Sequence, residues 1–199
     1  MDQVLLASAY FPPIEFYHHY TKNEAIIIEQ NEHFIKQTYR NRCSISSANG
    51  QIDLSIPLQK HTSKTLIRDI KISYEVQWQK QHWRSIVSAY NSSPYFMYYD
   101  YEIMPYFEKK NNYLFDLNLE ILEKLNKLLK ISKPFSLSEE FTAVNDSQSD
   151  LRYKISPKRK PEVLLKTYSQ VFDQKLGFIE NLSILDLLFN KGPDSMMHL

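Results

Sequence analysis

Glycine is scarce in this chain: 3 occur in 199 residues, where average usage of about 7% would place roughly 14. They stand at Gly50, Gly177 and Gly192. A G-x-x-x-x-G-K-[ST] phosphate loop or a G-x-G-x-x-G dinucleotide fingerprint needs clustered glycines, so P-loop NTPases and ordinary dinucleotide oxidoreductases are excluded. Cysteine occurs once, as Cys43, which rules out an intrachain disulfide and a cysteine-based zinc cluster. Charge of one sign is not in excess: 24 Lys+Arg meet 23 Asp+Glu, a net charge of +1. A nucleic-acid partner, which normally leaves a basic footprint, is therefore not expected. No apolar run approaches the roughly 18 residues of a membrane span. The opening MDQVLLASAY carries an acid where a secretory signal wants a positive charge, and its apolar stretch is short, so the expected location is cytoplasmic.

What the chain does have is aromatic rings: 14 Tyr, 11 Phe and 2 Trp, or 14% of residues. With 43% hydrophobic and 24% charged residues, it reads as one folded domain over 1–199. Residues 3–8 (QVLLAS) and 25–29 (AIIIE) read as strands, with a short helix between them entered through Pro12 and Pro13. Alternating runs on either side of Asn49-Gly50 predict an antiparallel hairpin over about 38–58. A further strand is expected at 66–73 and a late one at 164–171.

Helical periodicity begins near Tyr74. At about 100° per residue, Trp78, His82, Trp83, Ile86, Val87, Ala89 and Tyr90 share one half of a helix over about 75–92. Phe107, Leu114, Leu117, Ile121, Leu125 and Leu128 predict a second over about 107–131. Residues 139–160 read as an irregular loop. At the C-terminus, Ser183 is placed as N-cap with Asp186 as a shortened capping-box acid, Leu182 and Leu187 as a staple, and Gly192-Pro193 as the stop of a helix over 183–191. The class is α+β: a small mixed sheet with an antiparallel hairpin, packed against two longer helices and a short C-terminal one.

Several side chains carry possible chemistry. Alternation places Arg40 and Arg42 on one strand face, and two adjacent guanidiniums suit a carboxylate or phosphate between them. The alternative is a solvated face on which nearby acids balance both. His82 falls on the apolar half of its helix, either as a core histidine or as a general base at a pocket rim. His33, just beyond the second strand, is a further catalytic candidate; Glu29, Glu32 and His33 match no strong metal motif, so no metal is expected. His18-His19 diverge on a helix. Cys43 beside two arginines could be a nucleophile, but a solitary strand cysteine more often behaves as a small hydrophobe. Ser183, His82 and Asp186 have no triad spacing. Rings from Tyr90 to Phe107, Tyr95 among them, suit sugar or nucleoside recognition as well as packing.

Together AYFPPIEFYHHY, TYRNRCSI with its Asn-Gly turn, WQKQHWRSIVSAYNSSPYFMYY and NLSILDLLFNKGP resemble the WbqC-like family of bacterial proteins. The resemblance covers nearly the whole chain. It implies a role in O-antigen or other surface-polysaccharide synthesis, as a transferase placing an acyl or aminoacyl group on an amino sugar, or as a non-catalytic binding component of that pathway. It carries over to Tyr10, Phe11 and Pro12; to Arg40, Asn41 and Arg42; to His82, Trp83 and Ile86; to Tyr90, Pro94, Tyr95 and Phe96; and to Ser183, Asp186 and Asn190. On that reading Arg40, Asn41, Arg42, Tyr10 and Tyr95 hold a sugar or nucleotide-sugar substrate and His82 takes the proton from the attacking amine; His33, with Glu29 and Glu32 near it, is a separate candidate for polarising a nucleophile. No cofactor is indicated. The chain departs from the family in having Pro13 where a tryptophan often follows Phe-Pro, and in a shortened stretch at about 142–160.

Overall fold

The computed structural model describes residues 3–143 and 149–199. Strand β1 (Gln3–Ala7) leads through α1 (Ile14–Lys22) into β2 (Ala25–Glu29). Their short apolar runs pair in parallel, Val4 beside Ile26 and Leu6 beside Ile28. Those four side chains are buried and form the inner face of the sheet. β5 (Phe135–Leu137), which the sequence pattern did not reveal, adds in parallel to the other side of β2. Parallel pairing requires a long crossover. Here α1 supplies it, closed over the sheet by buried Phe16, Tyr17 and Tyr20.

The hairpin forms a separate two-stranded ribbon, β3 (Arg42–Ser47) with β4 (Gly50–Ser55). Its register sets Ser47 opposite Gly50, so the two-residue loop is Ala48-Asn49. Gly50, at φ 111°, supplies the turn's positive φ from the first position of β4. The strand expected at 66–73 is instead a 3-10 turn, Ile67–Asp69, flanked by isolated bridges of Leu66 to His33 and Ile72 to Leu58. Alternation there reports burial of Ile67, Ile70 and Ile72 without a ladder.

α2 (Trp78–Tyr90) buries Trp78, His82, Ile86, Ala89 and Tyr90, as the helical wheel requires. The second long helix is shorter than its periodicity suggests: α4 runs from Leu114 to Leu128, with Tyr113 as N-cap. Before it lie α3 (Phe96–Ile103), between Pro94 and Pro105, and a 3-10 turn, Met104–Phe107. Phe107 thus belongs to a different element from Leu114, although both are buried in the same core. The late strand expected at 164–171 does not form. Tyr168 and Gln170 of that segment bond instead to Asp186 of α6 (Ile184–Lys191), and a single turn α5 (Asp173–Leu176) lies between them in the chain.

At α6 the Ser183 hydroxyl accepts from Leu185 N–H at 3.3 Å and also donates to the Phe11 carbonyl at 2.9 Å. The same junction pairs Ile14 N–H with Leu182 O and Ile184 N–H with Pro12 O, which locks the starts of α1 and α6 together. Phe11 is held there at φ 41°, an uncommon backbone for a bulky residue. Asp186 is not a capping-box acid. Its carboxylate is buried and receives Tyr168 Oη at 2.6 Å and Gln170 Nε2 at 2.9 Å.

Candidate functional site

The Arg-Asn-Arg segment is taken apart by where the strand begins. β3 starts at Arg42, so alternation does not reach back to Arg40 and the two guanidiniums do not share a face. Arg40 turns inward, 2% exposed, and makes a two-pronged contact with Glu32: Nε to Oε1 at 2.7 Å and Nη2 to Oε2 at 2.6 Å. Arg42 stays near the surface and bonds Asp53 at 3.0 Å and Ser55 at 3.2 Å. Asn41 ties the strand to its neighbour through the Ile56 carbonyl at 3.0 Å, while Asn118 of α4 donates to the Arg40 carbonyl at 2.8 Å. Each arginine therefore has its own acid.

A second buried ion cluster lies beside the first, and sequence reasoning missed it. Arg152 bonds Glu29 at 2.8 Å and Asp150 at 2.9 and 2.7 Å, and its Nη2 reaches the Thr142 carbonyl at 2.9 Å. Ser138, just past β5, donates to the other Glu29 oxygen at 2.6 Å. Glu29 ends β2 and Glu32 follows it, so both locks stand at the carboxyl end of the parallel sheet. Burying such charges is tolerable only when every one is paired and hydrogen-bonded, as these are. Their engagement leaves Glu29 and Glu32 committed to arginines, and no group of three metal-ligating side chains occurs among the described residues.

His82 is enclosed. It is 5% exposed, shares a hydrogen bond of 3.0 Å between its Nδ1 and the Tyr10 hydroxyl, and lies edge-on to Trp78 and Phe107. Burial lowers its pKa to about 4, partly opposed by a backbone contact at Ser55, so the ring is neutral near pH 7. Burial likewise raises the Tyr10 hydroxyl well above its ordinary range, with the nearby Cys43 and Tyr74 adding to it. Cys43 is fully buried and its thiol is pushed far up, chiefly by desolvation, which suits packing and opposes nucleophilic chemistry. Tyr95 is half-buried, its ring lying against Gly192.

His33 has a different setting. It is exposed and lines a cleft of about 610 Å³ together with Phe34, Lys36, His61, Phe141 and Tyr153. The cleft opens just beyond the carboxyl end of β2, the position where ligands sit in open parallel sheets. The bridge from His33 to Leu66 fixes its backbone. His61 Nδ1 contacts the Gln59 carbonyl at 2.8 Å, which places its proton on Nδ1, and its ring stands edge-on to Phe34 at 5.2 Å. Tyr153 joins the cleft to the ion pairs beneath: Arg40 lies 5.4 Å and Arg152 5.8 Å from its ring centre. Its hydroxyl is raised by burial and by the charge of Glu32. Of the sequence-predicted residues, His33 alone lines this cleft; Tyr10 and His82 are together in the core, and Arg40, Asn41, Arg42 and Tyr95 hold other parts of the framework.

A short parallel sheet with a separate antiparallel hairpin, and a cleft at the sheet's carboxyl end, defines a mixed α/β protein. The profile of the WbqC-like protein family matches residues 7–167, and the chain belongs to that family. It is also 25% identical to the uncharacterized protein Rv1507c of Mycobacterium tuberculosis (strain ATCC 25618 / H37Rv) over 199 residues, 86% of each chain. No solved structure matches it. No helix among the described residues is long and apolar enough to cross a membrane.

Proposed function

We propose that this chain works in surface-polysaccharide assembly by transferring an acyl or aminoacyl group to an amino sugar, and that the cleft beyond β2 is where acceptor and donor meet. The observation that carries the reading is the exposed imidazole of His33 in a ring-walled cleft at the carboxyl end of the sheet. His33 takes the proton from the sugar amine as that amine attacks the carbonyl of an acyl ester or thioester donor; the acyl–oxygen or acyl–sulfur bond then breaks, and the proton passes from the imidazole to the departing alcohol or thiol. Lys36 faces the anionic part of a substrate, and Phe141 and Tyr153 offer rings to its apolar face. Arg40 and Arg152 act as positioning residues, holding Tyr153 from below. The polysaccharide context comes from the family resemblance.

A binding role without catalysis is the second reading. It is supported by the pairing of Arg40 and Arg42 to separate acids and by the enclosure of His82. Complementation of a deletion strain separates the two. The transfer reading expects His33→Ala to accumulate as folded protein yet fail to restore the modified polysaccharide. Full restoration by that variant, with loss on Tyr153→Ala, would leave the binding reading standing in its place.

A further inference from the structure

A second cleft, of about 560 Å³, lies between the start of α2 and the 3-10 turn before α4, and shares no lining residue with the His33 cleft. Its size falls in the roughly 300–1,000 Å³ range of small-molecule sites. Tyr74, Trp83 and Phe107 form its walls, and Lys80, Glu108 and Lys110 stand around it.

The two tryptophans show what is unusual here. Trp78 is buried and its indole N–H donates to the Ser73 carbonyl at 3.1 Å. Trp83, five residues on, is half-buried, and its N–H has no acceptor among the described residues. Its ring is already braced by Phe96 and Phe107, at 6.1 and 5.6 Å between centres, so it stands as a rigid wall with a free donor. The side chains of Lys80 and Glu108 have neither a hydrogen-bond nor an ion-pair partner among the described residues, and Lys110 lies 5.1 Å from the Tyr74 ring centre. Lys109, the remaining neighbour, is turned to Glu120.

Rings beside free donors, two cations and one carboxylate suit a particular ligand chemistry. Sugar rings offer C–H faces to aromatic walls and hydroxyls to edge donors and acceptors. The two lysines ask for a negative charge, while Glu108 accepts hydroxyls and would repel a di- or triphosphate. We propose that this cleft binds a short saccharide containing a uronic acid, with its carboxylate between Lys80 and Lys110 and its hydroxyls at Trp83 Nε1 and Glu108. The proposal stands on the chemistry of this cleft and not on group transfer at His33.

The test uses the intact protein and a tetrasaccharide of alternating N-acetylglucosamine and glucuronic acid, followed by calorimetry and tryptophan emission. Saturable binding that weakens as salt rises is expected. The surface double variant Lys80→Glu/Lys110→Glu should keep its Tm and lose at least about tenfold in affinity, the equivalent of roughly 1.4 kcal/mol. Trp83→Phe should bind more weakly and lose the emission change. No saturation by the acidic tetrasaccharide overturns the proposal. So does equal affinity for neutral chitotetraose with no effect of the lysine changes, or binding of UDP at Trp83 in its place. His33→Ala should bind the tetrasaccharide as the parent does, so a failure of the transfer reading leaves this result untouched.

Discussion

Tyr10 and His82 meet inside the core, Oη to Nδ1 at 3.0 Å, and the bond joins the segment after β1 to the second turn of α2. Because the ring is held neutral, it can be protonated readily only in the unfolded chain. The folded pKa of about 4 lies below the ordinary 6.5, so the unfolded state binds more protons between those values and stability rises with pH. The contribution is complete above about pH 6.5 and is lost as pH falls toward 4, amounting to roughly 3 kcal/mol. Urea unfolding across that window should show the slope in the parent and its reduction in His82→Gln. Tyr10→Phe, measured near pH 7, should cost about 1–3 kcal/mol by leaving Nδ1 buried without its partner.

The Glu32–Arg40 pair is expected to behave as a unit. Removing either partner strands the other charge at 2% exposure or less, which costs about 3–5 kcal/mol. Replacing both, as Glu32→Leu with Arg40→Met, should recover much of that loss. A double-mutant cycle by urea denaturation measures the coupling, and strictly additive losses would show that the pair does not act together.

Gly192 sits at φ 51° with the Tyr95 ring against it, so that a Cβ would come within 2.5 Å of Cδ1. Gly192→Ala therefore combines backbone strain with overpacking, and about 2–4 kcal/mol of destabilisation is expected. In a Tyr95→Ala background the overpacking share disappears and only about 1–2 kcal/mol should remain. Thermal unfolding of the four proteins separates the two costs.

Local signals in the sequence foretell local structure well. Asn49-Gly50 marks the hairpin and Ser183 with Gly192 brackets α6, because turn and cap chemistry acts over a few residues. The wheel of α2 places His82 in the apolar half, which is where it lies. Long-range pairing is not written in any window. β5 is only three residues long, and nothing in Phe135–Leu137 announces β2 as its partner. Arg152 illustrates the same limit at the candidate site. It stands in an aperiodic stretch, and only the fold brings it to Glu29, so a residue read as loop is among the most buried in the protein. Arg40 and Arg42 mislead in the opposite direction, since a strand pattern extended two residues too far makes one face out of two.

The outer flank of β1 has a consequence for solution behaviour. Leu5 donates to the Ser149 carbonyl at 2.8 Å and accepts from Leu151 N–H at 2.9 Å, so the returning chain occupies an edge that would otherwise be bare. Unpaired strand edges recruit other molecules into shared sheets. Arg152 is one residue beyond that patch and is its anchor to Glu29. Loss of the anchor would loosen the returning chain and leave β1 adhesive, so the first visible sign of damage there should be self-association on concentration, well before the fold itself is lost.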